Sequence, residues 1–127
     1  TNPILSVIFF QMPSGQEPVR EWLKSLEKDD RKTIGADIKL VQFRWPLGMP
    51  LVRKMEAGLW EVRSRLNSGQ IARVMFTAKN GEMVLLHGFI KKSQKTPTKD
   101  LRYHHSKSWL NIKNGRIGTK GFIVHTG

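Results

Sequence analysis

Cysteine is absent from all 127 residues, which excludes a disulfide scaffold, a thiolate zinc site and a thiol nucleophile. Long apolar runs are absent as well. Nothing approaches the roughly 18 consecutive apolar residues that a membrane-spanning helix needs, so no span is expected. The opening residues, Thr1-Asn2-Pro3-Ile4, show no basic stretch followed by an apolar one, so no secretory signal is expected and a cytoplasmic protein is the default. Acidic residues are scarce, 10 against 22 Lys and Arg. What is present has a globular balance, 39% apolar and 25% charged, in a length suited to one domain.

The positive excess is unevenly placed. Residues 1–50 hold 7 basic and 6 acidic side chains, whereas residues 51–127 hold 15 and 4, so +11 of the net +12 lies in the second part. Solubility does not require one sign to be segregated. A surface facing a polyanion does, with nucleic acid the first expectation and an anionic membrane surface the second.

Ile4 to Phe10 is short, branched and aromatic and reads as a largely buried strand. Ser14 and Glu17 have capping-box spacing, and Pro18 suits a first helical turn. Val19, Trp22, Leu23 and Leu26 follow at i, i+3, i+4 and i+7, which predicts a helix from Pro18 to about Glu27. Asp29 and Asp30 are suited to capping a second helix, whose stripe is Ile34, Ile38, Val41 and Trp45. Pro46, Gly48 and Pro50 end it. Three strands follow: Leu59 to Leu66, Gln70 to Ala78 across Asn67-Ser68-Gly69, and Glu82 to about Ile90 across Asn80-Gly81. The expected fold is therefore α+β: an N-terminal strand, two helices, then an antiparallel three-stranded meander with the helices on one sheet face.

Those turns set an antiparallel register. Counting from Leu66 and Gln70, Val62 faces Val74, Trp60 faces Phe76 and Arg63 faces Arg73. Counting from Lys79 and Glu82, Phe76 faces Leu85, Val74 faces His87 and Arg73 faces Gly88. Trp60, Val62, Val74, Phe76, Leu85 and Phe89 then form the core face, with His87 among them as a core histidine. The other face pairs Arg63 with Arg73, with Glu61 diagonally near and Gly88 beside them. Like charges directly opposed across strands are destabilising. An anion between them removes that cost, and a pair of guanidinium groups suits a phosphate, above all one gaining charge in a transition state. Gly88 is either a plain strand bulge or a spot left open for close approach. Arg53 and Lys54 before the meander, and Lys91, Lys92, Lys95, Lys99 and Arg102 after it, supply further positive charge.

Four segments carry a resemblance to a known group. They are Pro18-Val19-Arg20-Glu21-Trp22-Leu23, Leu47-Gly48-Met49-Pro50-Leu51-Val52, Gly58-Leu59-Trp60-Glu61-Val62-Arg63, and Leu85-Leu86-His87-Gly88-Phe89-Ile90-Lys91-Lys92 running to Gln94-Lys95-Thr96-Pro97. In order and spacing they resemble the RelE/HigB superfamily of toxins from bacterial toxin–antitoxin pairs, in its phage-derived HigB-like branch. The resemblance implies a RelE-like toxin domain over residues 1–100 and cleavage of messenger RNA, generally on the ribosome, without a metal ion or cofactor. It implies a cognate antitoxin, typically with a helix-turn-helix domain, and no membrane partner.

Under that resemblance Arg63 and Arg73 match the arginines that hold the scissile phosphate, and Lys54 matches a basic position ahead of the meander. Lys91, Lys92 and Lys95 match the basic cluster behind it, and Arg53, Arg65, Lys91, Lys95 and Lys99 are expected to bind RNA. Cleavage of this kind deprotonates the RNA 2′-hydroxyl, holds the added phosphoryl charge and protonates the leaving oxygen, giving a 2′,3′-cyclic phosphate. The 2′-oxygen as nucleophile accounts for selectivity toward RNA. Lys54 or Lys92 is expected as base or acid, with Glu61 the alternative base beside two purely electrostatic arginines. Residues 101–127 depart from the pattern: they hold no acid, carry +5 and show no helical stripe. They read as an RNA-gripping arm, a pairing strand at Gly121-Phe122-Ile123-Val124, or an unrelated terminus. The rival reading of the whole chain is a non-catalytic basic protein that holds RNA or DNA on the same face.

Overall fold

The structure, a computed structural model, describes residues 2–91. Its order is β1 (Ser6–Phe9), α1 (Pro18–Ser25), α2 (Lys28–Arg44), β2 (Val52–Glu56), β3 (Leu59–Arg65), β4 (Ile71–Lys79) and β5 (Glu82–Ile90). The strands form one mixed sheet in the order β1-β5-β4-β3-β2, with β1 parallel to β5 and the other pairs antiparallel. The fold class is α+β as the patterning indicates. The three-stranded meander is a correction, because Val52–Glu56 adds a fourth antiparallel strand and the N-terminal strand a fifth. Val52-Arg53-Lys54-Met55-Glu56 escapes a search for alternation because only Val52 is buried: past it the edge strand is exposed and keeps charges on both faces.

Helix α1 starts at Pro18 as expected, but its cap differs from the capping box. Ser14 Oγ turns to Gln16, and the N–H of Glu17 is satisfied by the Glu21 carboxylate at 2.8 Å. Asp29 and Asp30 lie inside the first turn of α2, where their charge still suits the positive end of the helix dipole. Trp45 caps the C-terminal end of α2.

Both helices pack on one face of the sheet. Val19, Ile34, Ile38 and Val41 meet Val7, Phe9, Val62, Val74, Phe76, Met83 and Leu85 there, with Trp22, Leu23, Leu26, Trp45 and Trp60 against the margin. Trp45 sets its ring edge-on to Trp60 and Phe76, at centroid distances of 4.9 and 5.6 Å. Gln42, buried at the C-terminal end of α2, accepts from the N–H groups of Ile4 and Leu5 through its carbonyl and donates its side-chain amide to Leu5. The entry to β1 is thereby fixed against α2.

The second face is not uniformly polar. It carries a second buried cluster of Ile8, Phe10, Leu59, Met75, Val84 and Leu86, which takes in β3 as well as β4, β5 and the β1 segment. Glu61, Arg63 and Arg73 lie on the same face, with Arg53 on the edge strand.

The hairpin at Asn80-Gly81 has φ values of +53° and +76° at its two central residues, the left-handed pair that a tight turn between twisted strands requires. Asn80→Ala is expected to lower stability by about 1 kcal/mol, because an alanine gains nothing locally to offset the left-handed backbone. Asn80→Gly is expected to be close to neutral. Urea unfolding midpoints of the two variants check this.

Candidate nucleic-acid interface

The register observed between β3 and β4 is the one expected: Trp60 faces Phe76, Val62 faces Val74 and Arg63 faces Arg73. Between β4 and β5 it holds only near the turn. Phe76 faces Leu85, but the next pair is Met75 with His87, so one extra residue, Leu86, enters β5 as a bulge. Everything beyond it is re-aimed. Val74 faces Gly88 rather than His87, and Arg73 faces Phe89 rather than Gly88.

Three expectations are corrected by that one residue. Gly88 lies on the helix-covered face, where an added Cβ would sit 2.3 Å from a carbon of the Trp22 ring. His87 is no core histidine and Phe89 no core aromatic, because both lie on the second face, half-buried, with ring centroids 6.0 Å apart. The signal that could have found this was available: Leu85-Leu86 breaks the alternation, and a glycine inside a strand marks a bulge or a close approach.

The second face therefore carries two cross-strand rows. One runs Arg53, Glu61, Met75, His87, and the other Arg63, Arg73, Phe89. Between the rows, Arg73 donates a hydrogen bond to Glu61 Oε1 at 2.9 Å, the diagonal pairing expected from the sequence. The pair is nearly dry, with the Glu61 side chain 2% and the Arg73 side chain 14% exposed. The Arg73 Nε–H is buried and meets no acceptor. Leaving a guanidinium donor buried without an acceptor costs stability, a cost this arginine carries beside its ion pair.

Arg63 is held differently. Its backbone N–H donates to the Leu51 carbonyl at 2.7 Å, and its guanidinium reaches the Met49 sulfur at 3.8 Å. Thioether sulfur is a weak acceptor, so the charge on Arg63 stays available. Arg63 and Arg73 thus stand as neighbours on one face, one steadied by a carboxylate and the other by a loop.

The remaining sequence-derived residues divide. Arg53 lies on this face opposite Glu61, and Arg65 follows Arg63 by the strand's alternation; both are exposed. Lys54 pairs with Trp60, whose side chain packs at the core, so it lies on the helix side of the edge strand, away from the two arginines. Lys91 is the last described residue, directly beyond β5. Lys92, Lys95, Lys99 and the tail 101–127 lie outside the described residues. Among the described residues no cluster of three or more His, Asp or Glu side chains is placed to hold a metal ion, and no helix is long and apolar enough to cross a membrane.

Residues 21–104 match the family described as Phage derived protein Gp49-like (DUF891). The chain belongs to that family. The match spans well over half the sequence and takes in α2, every strand from β2 to β5 and all of the residues in the two rows. No curated protein matches the chain.

Proposed function

We propose that this Gp49-like protein is the toxin of a toxin–antitoxin pair, an endoribonuclease that cleaves messenger RNA without a metal ion and so arrests translation. One observation carries the reading: Arg63 and Arg73 are direct cross-strand neighbours, with a single carboxylate against Arg73. Two guanidinium groups side by side gain most from a doubly charged phosphoryl oxygen pair, the charge that develops when the 2′-oxygen attacks. Family membership and the resemblance to RelE/HigB toxins support the same chemistry. An antitoxin partner and ribosome-bound message follow from that resemblance.

In this mechanism Arg63 and Arg73 hold the scissile phosphate and take up its added charge. Glu61 orients Arg73 and balances it in the resting state. His87, on the same face and in the row of Glu61, joins Lys54, Lys92 and Glu61 as a group that could move the proton. Arg53 and Arg65 rim the site and draw in the RNA backbone, so binding is expected to weaken as salt rises.

Arg63→Ala tests the reading with the fold intact. The side chain is half-buried and its removal also ends the opposition to Arg73, so stability is expected to stay within about 0.5 kcal/mol of the parent. Growth arrest on induction in bacteria is expected to vanish. Parent-induced cells should yield RNA ends bearing 2′,3′-cyclic phosphates, produced undiminished by purified protein and ribosomes supplemented with EDTA in excess of added zinc. Intact RNA retained on the parent protein, without new ends, points instead to the non-catalytic binder. An Arg63→Ala variant that arrests growth at equal expression defeats the arginine-pair mechanism.

A further inference from the structure

The row that contains the arginine pair does not end with it. Phe89 flanks Arg73 on β5, and Met49 touches Arg63 from the other side. Across the sheet the order is an aromatic ring, two guanidinium groups and a thioether. Adjacent strands lie about 4.8 Å apart, so Phe89, Arg73 and Arg63 span roughly 10 Å of backbone.

Met49 has no packing duty that explains it. It is 60% exposed, the most exposed large apolar side chain among the described residues, yet the loop that carries it is firmly anchored. Trp45, Leu47 and Leu51 turn inward onto the core. Val52 donates its N–H to the Gly48 carbonyl at 3.1 Å, and Arg63 ties down Leu51. A rigid loop thus holds one polarizable apolar side chain against a cationic group. Phe89 presents a half-buried ring at the other end of the row, with His87 beside it. Charge at the centre with a flat or soft apolar surface on each side matches one phosphodiester and its two bases. Bases stack on aromatic rings with little regard to sequence, and thioether sulfur makes favourable contacts with aromatic rings.

We propose that the Phe89–Arg73–Arg63–Met49 row grips a single dinucleotide step of RNA, the two arginines holding the central phosphate while Phe89 and Met49 each pack against one of the flanking bases. This rests on the proposed function for its choice of RNA. It adds the recognition unit: two bases, one on each side, contacted by apolar surface and so read by size and stacking rather than by hydrogen-bonding edge.

The test uses the full chain and 2′-O-methyl dinucleotides with one phosphodiester, which cannot be cut, followed by NMR titration. Three probes are compared: both bases present, the 5′ base removed, and the 3′ base removed. Each removal is expected to weaken binding to the parent protein by about fivefold or more. Met49→Ala should reduce one of these penalties to less than about twofold and leave the other. Phe89→Leu, which keeps the bulk but lacks the ring face, should do the converse. Met49→Leu should restore most of the lost penalty, since the apolar contact is kept. Both variants preserving both penalties, or either variant abolishing both, overturns the proposal. Cleavage of message is followed in parallel. Base-dependent binding without cleavage defeats the nuclease reading but keeps the grip. Cleavage without any base effect does the reverse, and failure of the parent to bind any dinucleotide defeats the grip.

Discussion

Arg73→Ala is expected to cost about 3–5 kcal/mol of stability as well as all growth arrest, and the two losses separate by a compensating change. The stability loss comes from the partner. With Arg73 gone, the Glu61 carboxylate remains on a nearly dry side chain with its charged hydrogen-bond donor removed. An uncompensated buried charge is far more damaging than the pair is stabilising, because the pair itself offsets a large desolvation penalty. Replacing both members by apolar residues of similar volume, Glu61→Met with Arg73→Leu, is therefore expected to recover most of the lost stability. Met75 and Leu59 already furnish apolar surroundings on that face. Activity should not return, since the phosphate has lost one of its two cations. Chemical unfolding and growth on induction are the two measurements. A double variant that is as unstable as Arg73→Ala shows that the arginine does more for the fold than neutralise Glu61. A double variant that is toxic shows that Arg73 is not part of the chemistry.

How much of this was legible beforehand depends on whether the signal was local. The helices were readable because Val19, Trp22, Leu23 and Leu26, and then Ile34, Ile38, Val41 and Trp45, repeat at helical spacing over several turns. The hairpins were readable because Asn80-Gly81 and Asn67-Ser68-Gly69 must adopt left-handed backbone, which they do at Asn80, Gly81 and Gly69. Register counted outward from those turns placed Arg63 opposite Arg73 and Glu61 within reach of Arg73. The same count failed past Phe76. A bulge is one inserted residue with no compositional mark of its own, and a one-residue slip exchanges the two faces of a strand. The count therefore puts His87 and Phe89 on the helix-covered face, whereas the bulge turns both to the other one. Lys54 is matched by the resemblance to a basic position ahead of the meander, and its face stays hidden because Val52–Glu56 is an edge strand without alternation. Net charge carries no information about the face on which the cations gather.

Gly88→Ala is expected to destabilise the protein by about 2 kcal/mol, lowering the melting temperature by roughly 10 °C, although it adds a single methyl group. The added Cβ meets Trp22 ring carbons at 2.3, 2.4 and 2.9 Å, distances at which something must shift. An indole wedged between α1 and the sheet cannot swing aside as the end of a lysine can. Relief requires moving α1 away from β5 or bending β5 where Leu86 is already accommodated as an extra residue. Either movement disturbs His87 and Phe89, which flank Gly88 and face the other way, so growth arrest is expected to fall more than the lost stability alone explains. The clash is specific to one ring, and that makes it testable by coupling. In a Trp22→Leu background the helix is already weakened, but the methyl group now has room, and the further cost of Gly88→Ala is expected to drop below about 0.5 kcal/mol. A coupling of about 1.5 kcal/mol between the two sites is the anticipated result of the full cycle. Equal costs in both backgrounds would mean that Gly88 is needed for the backbone of the bulge and not for the approach of Trp22.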